Sequence, residues 1–391
     1  MSWKEMACVV RRVRFVKLAL KAQQSMSQLC RIFRFSRKSG YKWKERFERE
    51  GLGGLRNRVR RPHRSPGQTS AKWLSRIRRL RRRHRSWGSR KLAVRLGRLY
   101  PREVAPCART VGKWLRRMKL NRRAPRRRPG GPYVSRSGLT VPKRSNQVWT
   151  VDFKGWFRTQ DGRRVEPLTV RDLFSRFLLG VVLLPDQSWR PTRRIFMRLF
   201  RQHGYPEIIR VDNGGPFGSK GPAGLSRLSA WWTALAIRVE FIAPGHPEQN
   251  GAHEQMHRVL KAETTRPTSR HLRAQQRRTL RWVRSYNQVR PHESLGQRPP
   301  AEVYQSNRLS KKRAVALNYP KEMVVRRVRS NGEIKWRGRK RFLGEAFVGY
   351  AVGLKPLSEG KYAIYFAQLL IGELWERDKG GVRPARYARR F

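Results

Sequence analysis

The sequence predicts an α/β domain preceded by basic all-α domains and followed by a small all-β domain. Three observations carry this. Apolar residues recur with helical period in segments between residues 25 and 120 that are crowded with Arg and Lys. The composition changes at Asn146, where strongly apolar runs begin to alternate with amphipathic ones. Short apolar runs with regular turns then occupy residues 322–377.

The 391 residues hold 92 Lys and Arg against 25 Asp and Glu, a formal net charge of +67. Self-repulsion on that scale favours a polyanionic partner, and nucleic acid fits better than a peptide. Cys8, Cys30 and Cys107 form neither a C-x-x-C pair nor a zinc-finger grouping. Cys30 and Cys107 sit among apolar residues and are expected to be small core residues of a protein kept reduced. The first 20 residues lack an uncharged apolar run, so neither a signal peptide nor a membrane span is expected.

Residues 25–49 read as two short helices around a tight turn at Phe35 and Ser36. Ser27 is the expected cap of the first helix, with Leu29, Ile32 and Phe33 as its apolar positions. Ser36 is the expected cap of the second, which carries Tyr41, Trp43 and Phe47. The spacing is that of a helix-turn-helix within a domain of residues 1–60. Arg37, Lys38, Lys42 and Lys44, with Arg46, lie on the second helix and suit phosphates and guanine edges. A glycine- and proline-rich linker follows at 51–67.

A second helix-turn-helix is expected over 67–120. Its first helix carries Trp73, Leu74, Ile77 and Leu80, and its recognition helix, about Ala108–Met118, turns Arg109, Lys113, Arg116 and Arg117 outward. Residues 51–130 contain 28 Lys and Arg and a single acid, Glu103, so DNA phosphates are the expected neutralising partner. Residues 121–142 read as a basic linker.

The α/β domain is expected over 143–306, with strands at 147–157, 165–172, 176–184, 207–214 and 238–244. Helices are expected around Thr192–Gly204, at 225–237, from 250, and over 271–290. An Asp161-Gly162 turn makes the first connection a hairpin, so a meander should feed a mixed sheet. Three acids stand out. Asp152 lies inside an apolar strand, Asp212 closes another, and Glu254 opens a helix after a Gly/Pro loop. Buried carboxylates need cationic compensation, and three hard oxygen ligands suit Mg²⁺ or Mn²⁺. Two such ions would serve a phosphodiester displacement. Asp172, within V-R-D, reads instead as a local partner of Ser175 or Arg176. Trp231 and Trp232 read as one core and one surface residue. The run from 322 to 377 reads as a small β-barrel domain within residues 320–380.

At these acids the sequence resembles the D-D-E integrases and transposases, which have ribonuclease H-like cores, and most of all the integrase-core transposases of bacterial insertion sequences. The likeness rests on WTVDFKG (149–155), IRVDNGGPF (209–217), APGHPEQNGAHEQMHRVLKAE (243–263) and YNQVRPHESLGQRPPAEVY (286–304). It implies a metal-binding catalytic triad of Asp152, Asp212 and Glu254, with two Mg²⁺ or Mn²⁺ ions. It also implies Arg258 and Lys261 gripping DNA beside the site. Glu248 is a nearby rival for the third position. The interval from Asp212 to Glu254 is 42 residues, long for the family, and an insertion around 218–227 accounts for the excess. The resemblance further implies cleavage of element ends and strand transfer into target DNA, with the helix-turn-helix units on terminal inverted repeats. A homo-oligomer on DNA and a location in the bacterial cytoplasm, at the nucleoid, are implied too.

Three other functions fit parts of the sequence. One is a DNA-binding regulator with an inactive core. Another is a ribonuclease acting on RNA–DNA hybrids. The last is a zinc metalloprotease, because His253-Glu254-Gln255-Met256-His257 spells H-E-x-x-H with His253 and His257 on one helical face. Its third ligand would have to be Glu263 or His271, and it leaves the charge and the two aspartates without a role. On the integrase-like reading, His253 packs or hydrogen-bonds and His257 contacts DNA.

Overall fold

The structure is a computed structural model and describes residues 3–58, 68–121, 138–243, 246–307 and 317–385. The chain divides into two compact units, Met1–Thr69 and Ser70–Phe391. Among the described residues, no helix is long and apolar enough to cross a membrane.

Among its described residues the first unit has three α-helices: α1 (Trp3–Leu20), α2 (Met26–Ile32) and α3 (Arg37–Glu50). Charged residues along α1 hid it from the sequence reading, yet Phe15, Val16 and Ala19 give it a buried stripe against Leu29, Cys30 and Leu55. The cap of α2 is Ser25, not Ser27. Ser25 accepts from Gln28 N–H while the Gln28 side chain accepts from Ser25 N–H, a reciprocal box that Ser27 cannot form. Ser36 caps α3 as expected, accepting from Ser39 N–H at 3.2 Å. Ser36→Ala should lower the stability of this unit by about 1 kcal/mol in urea unfolding. Ile32 and Tyr41, read as apolar and aromatic positions of these helices, are 63% and 53% exposed. The helices instead close over Gly40, whose added Cβ would stand 2.6 Å from Cys30 Sγ and 2.9 Å from Phe15 Cζ.

The second unit begins with α4 (Ala71–Arg83), α5 (Ser89–Leu99) and α6 (Ala108–Arg117) around Ile77, Leu92, Leu96, Val111 and Leu115. Cys107 is exposed at the start of α6, which corrects its expected burial. Most of the expected basic linker at 121–142 falls outside the described residues, as does much of the linker at 51–67.

The α/β part follows as β1 (Val148–Phe153), the short β2 (Phe157–Arg158), β3 (Arg164–Asp172), β4 (Leu178–Leu184), α7 (Trp189–His203), β5 (Ile208–Val211), α8 (Arg227–Ala234), β6 (Arg238–Phe241), α9 (Gly251–Thr264) and α10 (Leu272–Gln288). The sheet order is β2-β3-β1-β5-β6, with β4 also on β3. β1, β3 and β4 form the expected antiparallel meander, and β5 and β6 extend it in parallel from β1. Trp231 and Trp232 are both buried, at 6% and 0% exposure, because α8 packs into the same core as α7. The outer edge of β4 is covered by α10. The Asn287 amide bonds both backbone groups of Leu178, and the Gln276 amide bonds Leu183 N–H and Val181 O. An edge that could template another strand is thereby closed.

The C-terminal part holds β7 (Val324–Arg327), β8 (Glu333–Trp336), β9 (Arg339–Phe342), β10 (Ala351–Ser358), β11 (Lys361–Phe366), β12 (Leu369–Trp375) and β13 (Arg383–Pro384). The small all-β domain is present, but among the described residues its strands do not close into a barrel. β13-β12-β11-β10-β7 make a five-stranded sheet and β8-β9 a separate hairpin. The two share a core with Ile334, Trp336, Leu354, Phe366 and Leu374. The stretch before α8 joins that core through Ala223 and Leu225, and Arg227 pairs with Glu345 at 2.9 Å.

Candidate metal and DNA site

The site is built where the antiparallel and parallel halves of the sheet meet. β1 and β5 are parallel neighbours with Thr150 opposite Arg210. Two residues further along each chain stand Asp152, still on β1, and Asp212, just past β5. A one-residue slip in either strand would turn an acid to the other face. Asn213 donates to Ile242 O at 2.7 Å and ties the loop after Asp212 to the end of β6. Phe153 stacks with Phe217 across the same loop, their ring centroids 5.6 Å apart. Gly214 leaves room beside the carboxylate, since a Cβ there would stand 3.3 Å from Asp212 Oδ2.

Burial pushes the Asp152 carboxyl up to about 7, and the charge of Asp212 adds to the rise, with Glu254 a smaller contributor. Asp212 is also raised by burial, against backbone N–H bonds that lower it. Asp212 Oδ1 is buried and finds no hydrogen-bond partner among the described residues. Two half-buried carboxylates whose charges oppose each other, one with an orphaned oxygen, are short of positive charge. Glu254 lies exposed in the first turn of α9, close enough to be felt electrostatically at Asp152. Arg258 and Lys261 are exposed further along that helix. The Glu248 side chain lies outside the described residues.

His253 and His257 share a face, as their spacing predicts, but that face is turned into the protein. They are 0% and 4% exposed, which removes His257 from the expected DNA contacts. Burial drives both imidazoles toward the neutral form, His257 to about 3. Thr169 Oγ1 lies 2.6 Å from His253 Nε2 and 2.8 Å from His257 Nε2, and Thr150 Oγ1 lies 2.9 Å from His253 Nδ1. The downstream zinc ligands expected of a protease are engaged elsewhere. Glu263 accepts from Trp282 Nε1 at 2.6 Å and pairs with Arg290 at 3.1 Å, while His271 caps α10. Asp172 behaves as expected, accepting from Ser175 N–H at 2.7 Å and also from Asn146 N–H at 2.8 Å.

The sequence reading missed Arg171, Thr150 and Thr169. Arg171 is 2% exposed and donates to Ala252 O at 2.6 Å, holding the start of α9 against the sheet. A cation in the middle of the apolar run L-T-V-R-D was the available signal, since such a residue needs built partners.

The proposed DNA-contacting side chains divide between two helices. Arg37, Lys38 and Lys42 are exposed on α3, while Lys44 is half-buried and 3.8 Å from Glu48. Arg109, Lys113 and Arg116 are exposed on α6, on the side away from Val111 and Leu115.

Tri-helical basic units, a mixed sheet with two acids at one end of adjacent parallel strands, and an all-β tail define a class: helix-turn-helix domains joined to an integrase-type core. Residues 142–247 and 235–300 match the integrase core domain. Residues 11–63 match a helix-turn-helix domain, 39–115 a homeodomain-like domain, and 323–379 the C-terminal domain of IS481 family transposases. The chain thus carries matches to integrase core, helix-turn-helix and IS481 transposase C-terminal domains, and the relatives it is similar to are insertion-element proteins. It is 30% identical over 187 residues to the insertion element IS407 uncharacterized 31.7 kDa protein of Burkholderia multivorans, which spans 47% of this chain and 64% of that protein. It is 31% identical over 186 residues to the insertion element IS476 uncharacterized 39.2 kDa protein of Xanthomonas euvesicatoria, covering 47% and 51%. The chain thus spans between half and two thirds of the length of these relatives. Among solved structures, the HTLV-2 integrase catalytic core domain in complex with magnesium aligns with 42% of this chain and all of that one, at 15% identity and TM-score 0.34. A simian T-cell lymphotropic virus intasome chain aligns with 79% of this chain and 98% of that one, at 14% identity and TM-score 0.37.

Proposed function

We propose that this protein is a DNA transposase that cleaves the ends of its element and joins them to target DNA. The observation that carries the reading is the pair Asp152, on β1, and Asp212, just past its parallel neighbour β5, with an orphaned buried oxygen and a shared deficit of positive charge. That donor set fits hard divalent cations. Asp152, Asp212 and Glu254 would hold Mg²⁺ or Mn²⁺, two ions in all. When bound, the ions supply Lewis acidity to in-line displacement at a phosphodiester, first by water and then by a 3′-hydroxyl.

The chain's own residues do the rest. Glu254 brings its carboxylate from α9, whose start Arg171 fixes to the sheet. Arg258 and Lys261, further along α9, hold phosphates next to the acids. α3 and α6 read the terminal inverted repeats through Arg37, Lys38, Lys42 and Lys44, and through Arg109, Lys113 and Arg116. The domain limits that go with these roles are 1–60 and 67–120 for the two helix-turn-helix domains, 121–142 for the basic linker, 143–306 for the core and 320–380 for the tail. Two ends must be processed together, so the working form is a homo-oligomer on DNA in the cytoplasm, at the nucleoid.

The test is nicking and joining of a duplex bearing the element's own end, in Mg²⁺. Wild-type protein should do both, and Asp212→Asn and Glu254→Gln should do neither. Cleavage retained in either variant would remove that acid from the set. For the DNA contacts, Arg109→Ala and Lys113→Ala should each weaken binding. A side chain that neutralises one phosphate should lower the slope of log affinity against log salt by about 1 in a titration series.

A further inference from the structure

The segment His253–His257 has a use that DNA cleavage does not require. Thr169 Oγ1 sits 2.9 Å from Asp152 O, 2.6 Å from His253 Nε2 and 2.8 Å from His257 Nε2. A hydroxyl offers one proton and two lone pairs. A carbonyl only accepts, so the hydroxyl proton goes to Asp152 O, and both imidazoles donate to Thr169 through Nε2–H. His253 then accepts at Nδ1 from the Thr150 hydroxyl, 2.9 Å away, and both of its nitrogens are used. A zinc protease would need one of them.

His257 is left differently. With its proton on Nε2, its Nδ1 carries a lone pair, and that atom faces Asp152 Oδ2 at 3.7 Å. Two electron-rich atoms set face to face are reconciled by a cation between them. An ion about 2.0–2.2 Å from each ligand spans such a gap at an angle of roughly 115–135°, wider than tetrahedral. The hydrogen bond from Nε2–H to Thr169 is the kind of outer contact that fixes the tautomer and aim of a metal-bound imidazole. Candidate ligand atoms of Asp152, His253 and His257 all lie within 4.8 Å of one another.

We propose that Asp152 Oδ2 and His257 Nδ1 form a chelating pair for a borderline-soft divalent ion of the Zn²⁺ type, with Thr169 and His253 as positioning residues. Imidazole nitrogen favours such ions, whereas an all-oxygen site favours Mg²⁺. The pair shares Asp152 with the acids assigned above to the hard cations, and to that extent it rests on the proposed function. Occupancy by Zn²⁺ withdraws Asp152 from them, so Zn²⁺ acts as an inhibitor competing with Mg²⁺.

The experiment is a titration of metal-free full-length protein with Co²⁺, without DNA, read by visible d–d absorption. Wild type should develop a band saturating at a single ion per chain, which Zn²⁺ abolishes and equimolar Mg²⁺ does not. Removal of a ligand, in His257→Ala or Asp152→Asn, should weaken binding at least about tenfold, comparable to or above the effect of losing an outer contact. Glu254→Gln should leave it unchanged. Should circular dichroism show His257→Ala to be unfolded, the isosteric Asp152→Asn carries the test. Absence of Co²⁺ binding to wild type, or equal affinity in wild type and Asp152→Asn, overturns the proposal. Failure of the transposase reading would appear separately, as Mg²⁺-dependent cleavage that survives loss of the acids while the Co²⁺ band behaves as described.

Discussion

Asp152→Asn should abolish DNA cleavage and make the protein more stable. The first effect follows from removing a charged oxygen from the proposed cation site. Several kcal/mol of transition-state stabilisation go with it, a fall in rate of about 10³-fold or more in single-turnover cleavage. The second follows from the same burial that builds the site. The folded-state carboxyl lies at about 7, against an ordinary value of 3.8. Its ionised form is therefore disfavoured by folding. The resulting penalty is absent below the unfolded value, grows as pH rises from there, and is complete above about 7. At 1.36 kcal/mol per unit it approaches, on the order of magnitude, 4 kcal/mol.

The uncharged amide keeps the size of the side chain and escapes that penalty. Thermal unfolding without divalent ions should show Asp152→Asn above wild type by a margin that widens from acidic to mildly alkaline pH. Saturating Mg²⁺ should raise wild type toward the variant at the alkaline end, because a ligand that binds only the folded state stabilises it. Equal melting curves at all pH values would show that Asp152 is not held short of positive charge. Activity and stability are opposed at this residue because the same desolvation that would strengthen its grip on a cation also penalises its unaccompanied charge.

How much of this was legible in the sequence depends on the scale of the interaction. The meander and the parallel extension were visible because β1, β3, β4 and β5 are apolar runs bounded by turns, and α7 and α10 carry clean helical periods. Asp152 and Asp212 stood out because charge interrupts those runs. The cap of α2 went to the wrong serine because Ser25 and Ser27 offer the same chemistry, and only the position of Gln28 relative to the helix start separates them. His257 was misplaced for another reason. Helical spacing fixes which residues share a face, but not whether α9 turns that face to solvent or to the sheet. Thr150 and Thr169, which decide the matter, lie 103 and 84 residues before His253 and are unremarkable β-strand residues by themselves. The open sheet at the C-terminus differs from the expected barrel because closure is a property of strand ends, and the turns read from the sequence report only neighbouring strands.

The largest loss of stability is expected at Arg210, two residues before Asp212. Its Nε donates to Glu240 Oε2 at 2.6 Å, and the two side chains are 7% and 1% exposed. They face each other across β5 and β6, where Arg210 is in register with Glu240. Glu240 Oε1 accepts from Thr140 N–H at 3.0 Å, and Arg210 Nη2 donates to Thr140 O at 2.6 Å. The pair therefore clamps the segment that leads into β1 onto β5 and β6. Arg210→Ala leaves Glu240 charged and buried without its main partner, at a cost of about 3–5 kcal/mol in denaturant unfolding. The double replacement Arg210→Met with Glu240→Leu removes both charges and should recover most of that loss, giving a strongly non-additive double-mutant cycle. A cycle that adds to within a few tenths of a kcal/mol would show the two charges to be independent. Because β5 sets the position of Asp212, Arg210→Ala should also raise the Mg²⁺ concentration needed for half-maximal cleavage at temperatures where it is still folded. The double variant, with β5 packed again, should return toward wild type in both measurements, which ties the buried ion pair to the placement of the acid and not to the chemistry itself.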